Sequence, residues 1–184
     1  MWQHPQLGRQ ADSSRQRPPF DQLSALLLLE RLARIRPQPT TLLDIGCGAG
    51  DLLRWALSFF PSTRMTGVDS APWLLAHASA NVHGARFLHG APPNLPLPAA
   101  SMEMATCRQH TPNERPMVDL GEARRVLAPG GLLGLAGVVT SSPGELVAYG
   151  FAIADTQFLP ATEQEPSLTV VIARLVDQLP GRVL

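Results

Sequence analysis

Thr41-Leu42-Leu43-Asp44-Ile45-Gly46-Cys47-Gly48-Ala49-Gly50 is the stretch from which the rest of the chain is read. Its first five residues form a short, nearly continuous apolar run, the pattern of a strand buried on both faces in the middle of a parallel sheet. Three alternate glycines follow, and Asp51 to Phe60 then reads as a helix with Leu52, Leu53, Ala56 and Phe60 on one side. Glycine permits positive φ and removes the Cβ that would keep a ligand off the backbone. Backbone N–H groups at the start of a helix then face such a ligand as donors.

The alternation repeats along the chain. Arg64 to Asp69, Ala85 to His89, Met102 to Cys107 and Leu132 to Val138 read as strands. Pro72 to Ser79 and Met117 to Leu127 read as helices, the latter opened by Pro116 in its first turn. Pro129-Gly130-Gly131 reads as a turn and Pro92 to Pro98 as a loop. Upstream, Gln22 to Ile35 predicts a helix capped by Asp21. Its apolar residues Leu23, Leu26, Leu27 and Leu29 predict a wide face against the sheet. Downstream, Glu145 to Tyr149 reads as at most a short helix, and Gly150 to Phe158 and Leu168 to Arg174 as strands. Strand and helix in turn imply right-handed crossovers and an open α/β sheet. Residues 1–20 are expected to be a flexible N-terminal arm and residues 21–184 one domain.

Asp69 ends the strand after the glycine loop, where a carboxylate can accept hydrogen bonds from both ribose hydroxyls of a nucleoside. The loop runs Gly-x-Gly-x-Gly, with Asp51 next, so the third glycine comes too early for the dinucleotide fingerprint. The P-loop pattern fails as well, because no Gly-Lys-Ser/Thr follows.

Composition narrows the class. Of 184 residues, 45% are hydrophobic and 16% charged, with 15 basic and 15 acidic, which argues against a nucleic-acid partner. The longest apolar run, Leu23 to Leu29, is far short of a membrane span, and the first residues lack a secretory signal. Two cysteines, Cys47 and Cys107, suggest neither a disulfide framework nor a zinc site. No metal is expected, and a cytoplasmic setting is.

Leu43-Asp44-Ile45-Gly46-Cys47-Gly48-Ala49-Gly50 resembles motif I of class I S-adenosylmethionine-dependent methyltransferases. Gly67-Val68-Asp69-Ser70 resembles their ribose-binding strand end. Leu95-Pro96-Leu97-Pro98 with Ser101-Met102-Glu103 is similar to the lead into strand four. Glu122-Ala123-Arg124-Arg125-Val126-Leu127-Ala128-Pro129-Gly130-Gly131 is similar to the motif before strand five, and Gly150-Phe151 to the opening of strand six. The resemblance implies a three-layer Rossmann-like fold. Its mostly parallel seven-stranded sheet has order 3-2-1-4-5-7-6, strand seven is antiparallel, and helices cover both faces.

It also implies a cofactor, S-adenosyl-L-methionine, leaving S-adenosyl-L-homocysteine as product. Gly46, Cys47 and Gly48 would line the methionine part, with Gly50 completing the loop, and Asp44 would hold the ammonium end. Asp69, with Ser70, would bind the ribose. Ala91 stands where family members often carry an acid near the adenine amino group. With Pro92 beside it, it leaves the ring to apolar stacking or backbone bonds. Strand four ends in Cys107, Arg108, Gln109 and His110, beside the loop. His110 is the candidate catalytic base, its alternative being a polar loop histidine. Arg108 is a candidate ligand for the cofactor or a substrate anion, its alternative an exposed loop arginine. Cys107 reads as a packing residue, as do Trp55, Trp73 and His77. After strand five, Ser141 to Tyr149 leaves little room for a substrate-covering element, so the pocket is expected to be open, or closed by the N-terminal arm or a second subunit, as in a homodimer. The implied reaction is methyl transfer to an oxygen, nitrogen or carbon of a small molecule. The alternative is a non-catalytic methyltransferase-fold binding or accessory protein.

Overall fold

The structure is a computed structural model and describes residues 19–108, 118–137, 142–161 and 167–176. Its elements are α1 Pro19–Ile35, β1 Thr41–Ile45, α2 Asp51–Phe59, β2 Arg64–Asp69, α3 Pro72–Asn81 and β3 Ala85–His89. They continue with β4 Met102–Arg108, α4 Leu120–Val126, β5 Leu127–Gly137, α5 Pro143–Ala148, β6 Phe151–Leu159 and β7 Leu168–Leu175. The seven strands form one sheet of order β3-β2-β1-β4-β5-β7-β6. β1 pairs in parallel with β2 and β4, and β7 runs antiparallel to both β5 and β6.

β1 is buried at every position, as a central strand of two-sided cover must be. One face of the sheet packs Leu42, Met65, Met104, Leu132 and Ile172 under Leu28, Leu29 and Leu32 of α1 and Leu52, Leu53 and Ala56 of α2. The other packs Leu43, Ile45, Val68, Ala105 and Leu133 against Leu120, Ala123 and Val126 of α4 and Leu146 of α5. Three layers result, with the carboxyl ends of β1, β2 and β4 along one edge.

Several local expectations are corrected. α1 starts at Pro19, so Asp21 lies inside the first turn rather than capping it. Proline suits that turn because the N–H it lacks has no helical partner there. The buried stripe of α1 is Ala25, Leu28, Leu29 and Leu32, at helical spacing, whereas Leu23 and Leu26 are exposed. A segment leucine-rich on all sides conceals which stripe meets the sheet. α4 begins at Leu120, not Met117. Asp119 is its cap, accepting from the Glu122 N–H at 2.9 Å, while Pro116 and Met117 lie outside the described residues. Pro129-Gly130-Gly131 is no separate turn but part of β5. Met102 pairs with Leu127 and Met104 with Leu132, so residues 128–131 bulge opposite Glu103. Gly130 takes φ 71° there. Trp55 packs on the core as expected, but Trp73 is half exposed and His77 exposed, so neither is a packing residue.

Candidate cofactor-binding site

The glycine loop turns tightly over the end of β2. The Gly46 and Cys47 N–H groups both donate to Val68 O, at 2.8 and 3.0 Å. Gly46, Gly48 and Gly50 take φ of 72°, 53° and 82°, a region L side chains rarely enter. Gly50 caps α2, and its carbonyl receives the Arg54 N–H at 3.0 Å. A Cβ on Gly50 would stand 3.1 Å from the Phe87 ring and from Val82, so that glycine serves the packing of α2 against β3 and α3.

Asp69 ends β2 beside this loop. Its Oδ2 accepts the Gly48 N–H at 2.8 Å and its Oδ1 the Ala71 N–H at 2.8 Å. The carboxylate is thereby fixed in orientation, and each oxygen keeps a lone pair for a further donor. Asp44 is buried on β1, its Oδ1 accepting the Thr106 hydroxyl at 2.8 Å across the β1–β4 pairing. Thr106 is a residue the sequence reading missed, because only the strand register brings it to Asp44.

The Cys47 sulfur is turned into the packing. Its Sγ lies over Gly67, where a Cβ would come within 2.7 Å of it. Burial, then the carboxylates of Asp44 and Asp69, push this thiol up, so it stays protonated. Cys107 is buried on β4, where burial and Asp44 push its thiol up to about 12. It packs, as expected.

Arg108 departs from its expected alternative. It is buried at the end of β4, and its Nη1 donates to Asp21 O at 3.1 Å, tying the first turn of α1 over the carboxyl edge of the sheet. Gln109 and His110 lie outside the described residues.

The segment after β3 borders the same edge. Gly90 N–H donates to Asp69 O at 3.0 Å, and His89 Nε2 donates to the carbonyl of Ser70 at 3.2 Å. The sequence reading gave His89 no such role. Ala91 bridges to Asn94, whose N–H donates to Ala91 O at 3.1 Å, so the turn at Pro92 presents backbone and apolar surface. A Cβ on Gly90 would meet the Pro96 ring at 2.7 Å, which shows how closely the segment folds back.

α4 holds that segment. Glu122 Oε1 accepts the Leu95 N–H at 2.7 Å. Arg125 grips Glu122 in a fork, Nε to Oε2 at 2.9 Å and Nη2 to Oε1 at 2.6 Å. Its Nη1 also donates to Leu97 O at 2.8 Å and its Nη2 to Leu95 O at 3.1 Å. The Arg125 hydrogen bonds hold the Glu122 carboxyl below the usual glutamate range.

Among the described residues no group of His, Cys, Asp and Glu is arranged to hold a metal ion, and no helix is long and apolar enough to cross a membrane.

Comparison with known proteins agrees with this geometry. A family model described as a methyltransferase domain matches residues 42–131, from β1 through the bulge of β5. A trans-aconitate 2-methyltransferase of Streptomyces avermitilis is 37% identical over 79 residues, covering 43% of this chain and 27% of the relative. The chain thus spans about a quarter of that relative's length. Among solved structures, a sarcosine dimethylglycine methyltransferase from Galdieria sulphuraria aligns with TM-score 0.67 at 13% identity, covering 85% of this chain and 86% of the other. A 1,6-didemethyltoxoflavin-N1-methyltransferase from Burkholderia thailandensis, solved with its substrate and S-adenosylhomocysteine, aligns with TM-score 0.66 at 19% identity, covering 85% and 80%. The strand order is the one found in the fold of these solved methyltransferases, and the matched residues 42–131 belong to the class I S-adenosylmethionine-dependent methyltransferase family.

Proposed function

We propose that residues 21–184 form a single domain that binds S-adenosylmethionine across the carboxyl ends of β1 and β2. The domain transfers the methyl group to an oxygen, nitrogen or carbon of a small molecule in the cytoplasm. The observation that carries the reading is the Asp69 carboxylate, held by the Gly48 N–H at 2.8 Å beside a left-handed glycine turn. The residues fit the cofactor. Asp69 offers remaining lone pairs to two ribose hydroxyls, with Ser70 at its side. Gly46, Cys47 and Gly48 offer a Cβ-poor backbone to the methionine part, and Asp44 offers a carboxylate to the ammonium. Ala91 and Pro92 offer an apolar edge to the adenine ring.

When bound, the cofactor supplies an electrophilic methyl group on a sulfonium. The chain's part is alignment and exclusion of water, the main demands of such a transfer. Arg108 fixes the first turn of α1 over the reacting edge. His110 is the residue proposed to take the acceptor's proton.

The trans-aconitate 2-methyltransferase relative supports a small acidic acceptor as the first class to try. Transfer of label from methyl-labelled S-adenosylmethionine to a panel of small carboxylic acids, amines and phenols, with trans-aconitate included, tests the reading. Label is expected in at least one acceptor. Tight cofactor binding with no transfer to any class would favour the non-catalytic alternative. Given a substrate, His110→Ala should lower turnover about a hundredfold or more with cofactor affinity unchanged. Full turnover removes His110 from the site.

A further inference from the structure

The Glu122–Arg125 pair lies on α4, and among the described residues its side-chain bonds outside the pair go to the segment between β3 and β4. Leu95 is held at both its N–H and its carbonyl, and Leu97 at its carbonyl. The next residues are tied to the same helix by backbone, Ala100 N–H to Arg125 O at 2.8 Å and Ser101 N–H to Val126 O at 2.9 Å. At its other end the segment hangs from Asp69 through Gly90. It therefore spans from the end of β2, which carries Asp69, to α4. No helix or strand of its own stiffens residues 90–101, apart from the Ala91–Asn94 bridge. Glu122 is buried and charged, and it accepts bonds from both Arg125 and the loop. Removing Arg125 leaves a buried carboxylate without its charged partner.

From this arrangement we infer that Glu122 and Arg125 are positioning residues for the nucleoside half of the cofactor. Neither touches the ligand. They hold residues 91–97 in one conformation, so that the backbone and apolar edge around Ala91, Pro92 and Asn94 stand ready for the adenine ring. The need for such a device follows from Ala91. An acidic side chain could reach a purine from a loosely held segment, but a backbone edge recognises one only if the segment is already in place. Ordering the loop in advance removes a cost that binding would otherwise meet. The inference rests on the proposed cofactor site.

The test compares wild type with Arg125→Lys and Glu122→Gln, using adenosine and S-adenosylhomocysteine as calorimetric ligands. Lysine keeps the charge but cannot reach Glu122, Leu95 O and Leu97 O together. Arg125→Lys is expected to weaken both ligands by the same factor, about tenfold, because the defect lies in the half they share. Amide exchange at Leu95 and Leu97 should rise in the same variant. Faster exchange with both affinities within about twofold of wild type would make the pair merely structural and overturn the inference. Weakening of S-adenosylhomocysteine with adenosine unaffected would overturn it as well. If Arg125→Lys does not melt cooperatively, Glu122→Gln carries the test, with about threefold expected for both ligands. Wild type that binds neither ligand would defeat the functional reading itself. Wild type that binds both, with variants unchanged, defeats only the positioning role.

Discussion

At the scale of single residues, the site depends on what is missing as much as on what is present. Gly67 has no Cβ because one would lie 2.7 Å from Cys47 Sγ and 2.8 Å from the Phe87 ring. Gly67→Ala should therefore destabilise the fold by about 1–3 kcal/mol through overpacking, measured by chemical denaturation; a change within about 0.5 kcal/mol would contradict the packing. Cys47 itself illustrates the limit of motif reading. Its place in the loop was plain from sequence, but the direction of its sulfur depends on Gly67, a residue of another strand. Arg108 is similar. The end of a strand is a natural place for an exposed arginine, yet this one is buried and bonded to the first turn of α1. Both cysteines are buried with thiols pushed up. At pH 8 the native protein should react with iodoacetamide far more slowly than the unfolded chain, since the thiolate is the nucleophile. Rapid native labelling of either would show that the burial is wrong.

At the scale of elements, β1 to β3 were legible because each is short and closed by glycine or an acid, β1 by Gly46, β2 by Asp69 and β3 by Gly90. Their bounds depend on little beyond local pattern. The less legible elements are those whose form depends on contacts far along the chain. α1 is leucine-rich on every side, and the sheet alone selects Leu28, Leu29 and Leu32 for burial. Pro129-Gly130-Gly131 has the composition of a turn, yet pairing with β4 draws it into β5 as a bulge. α4 opens at Asp119, not at the proline-bearing segment before it. Asp119→Ala should remove that cap and cost about 1 kcal/mol. An unchanged denaturation midpoint would contradict the capping bond seen to Glu122 N–H. The same helix predicts a pH effect. Glu122 is held below the glutamate range by Arg125, while in the unfolded chain it titrates at about 4.3. Its contribution is fully present above that value and is lost as pH falls through the lower folded-state value. Thermal stability of wild type should therefore fall more steeply on acidification below about pH 4.5 than that of Glu122→Gln. Parallel curves would mean that Glu122 carries no such linkage.

At the scale of the whole molecule, one edge of the sheet gathers the glycine turn, Asp69, the segment around Ala91 and the Arg108–Asp21 contact. This is the position where open α/β sheets bind ligands. Sheet order and the acid-plus-glycine pairing were within reach of the sequence because the motifs occur in chain order. How the edge is assembled was not, since the Thr106–Asp44, Gly48–Asp69 and Glu122–Leu95 bonds join residues remote in sequence. The central claim is that Asp69 and the glycine turn hold the nucleoside of S-adenosylmethionine. Calorimetric titration of wild type and Asp69→Ala with S-adenosylhomocysteine tests it most directly. Wild type should bind, and the variant should bind at least about tenfold more weakly, a loss of about 1.4 kcal/mol. No wild-type binding at millimolar ligand, or equal affinity in the two proteins, would contradict it.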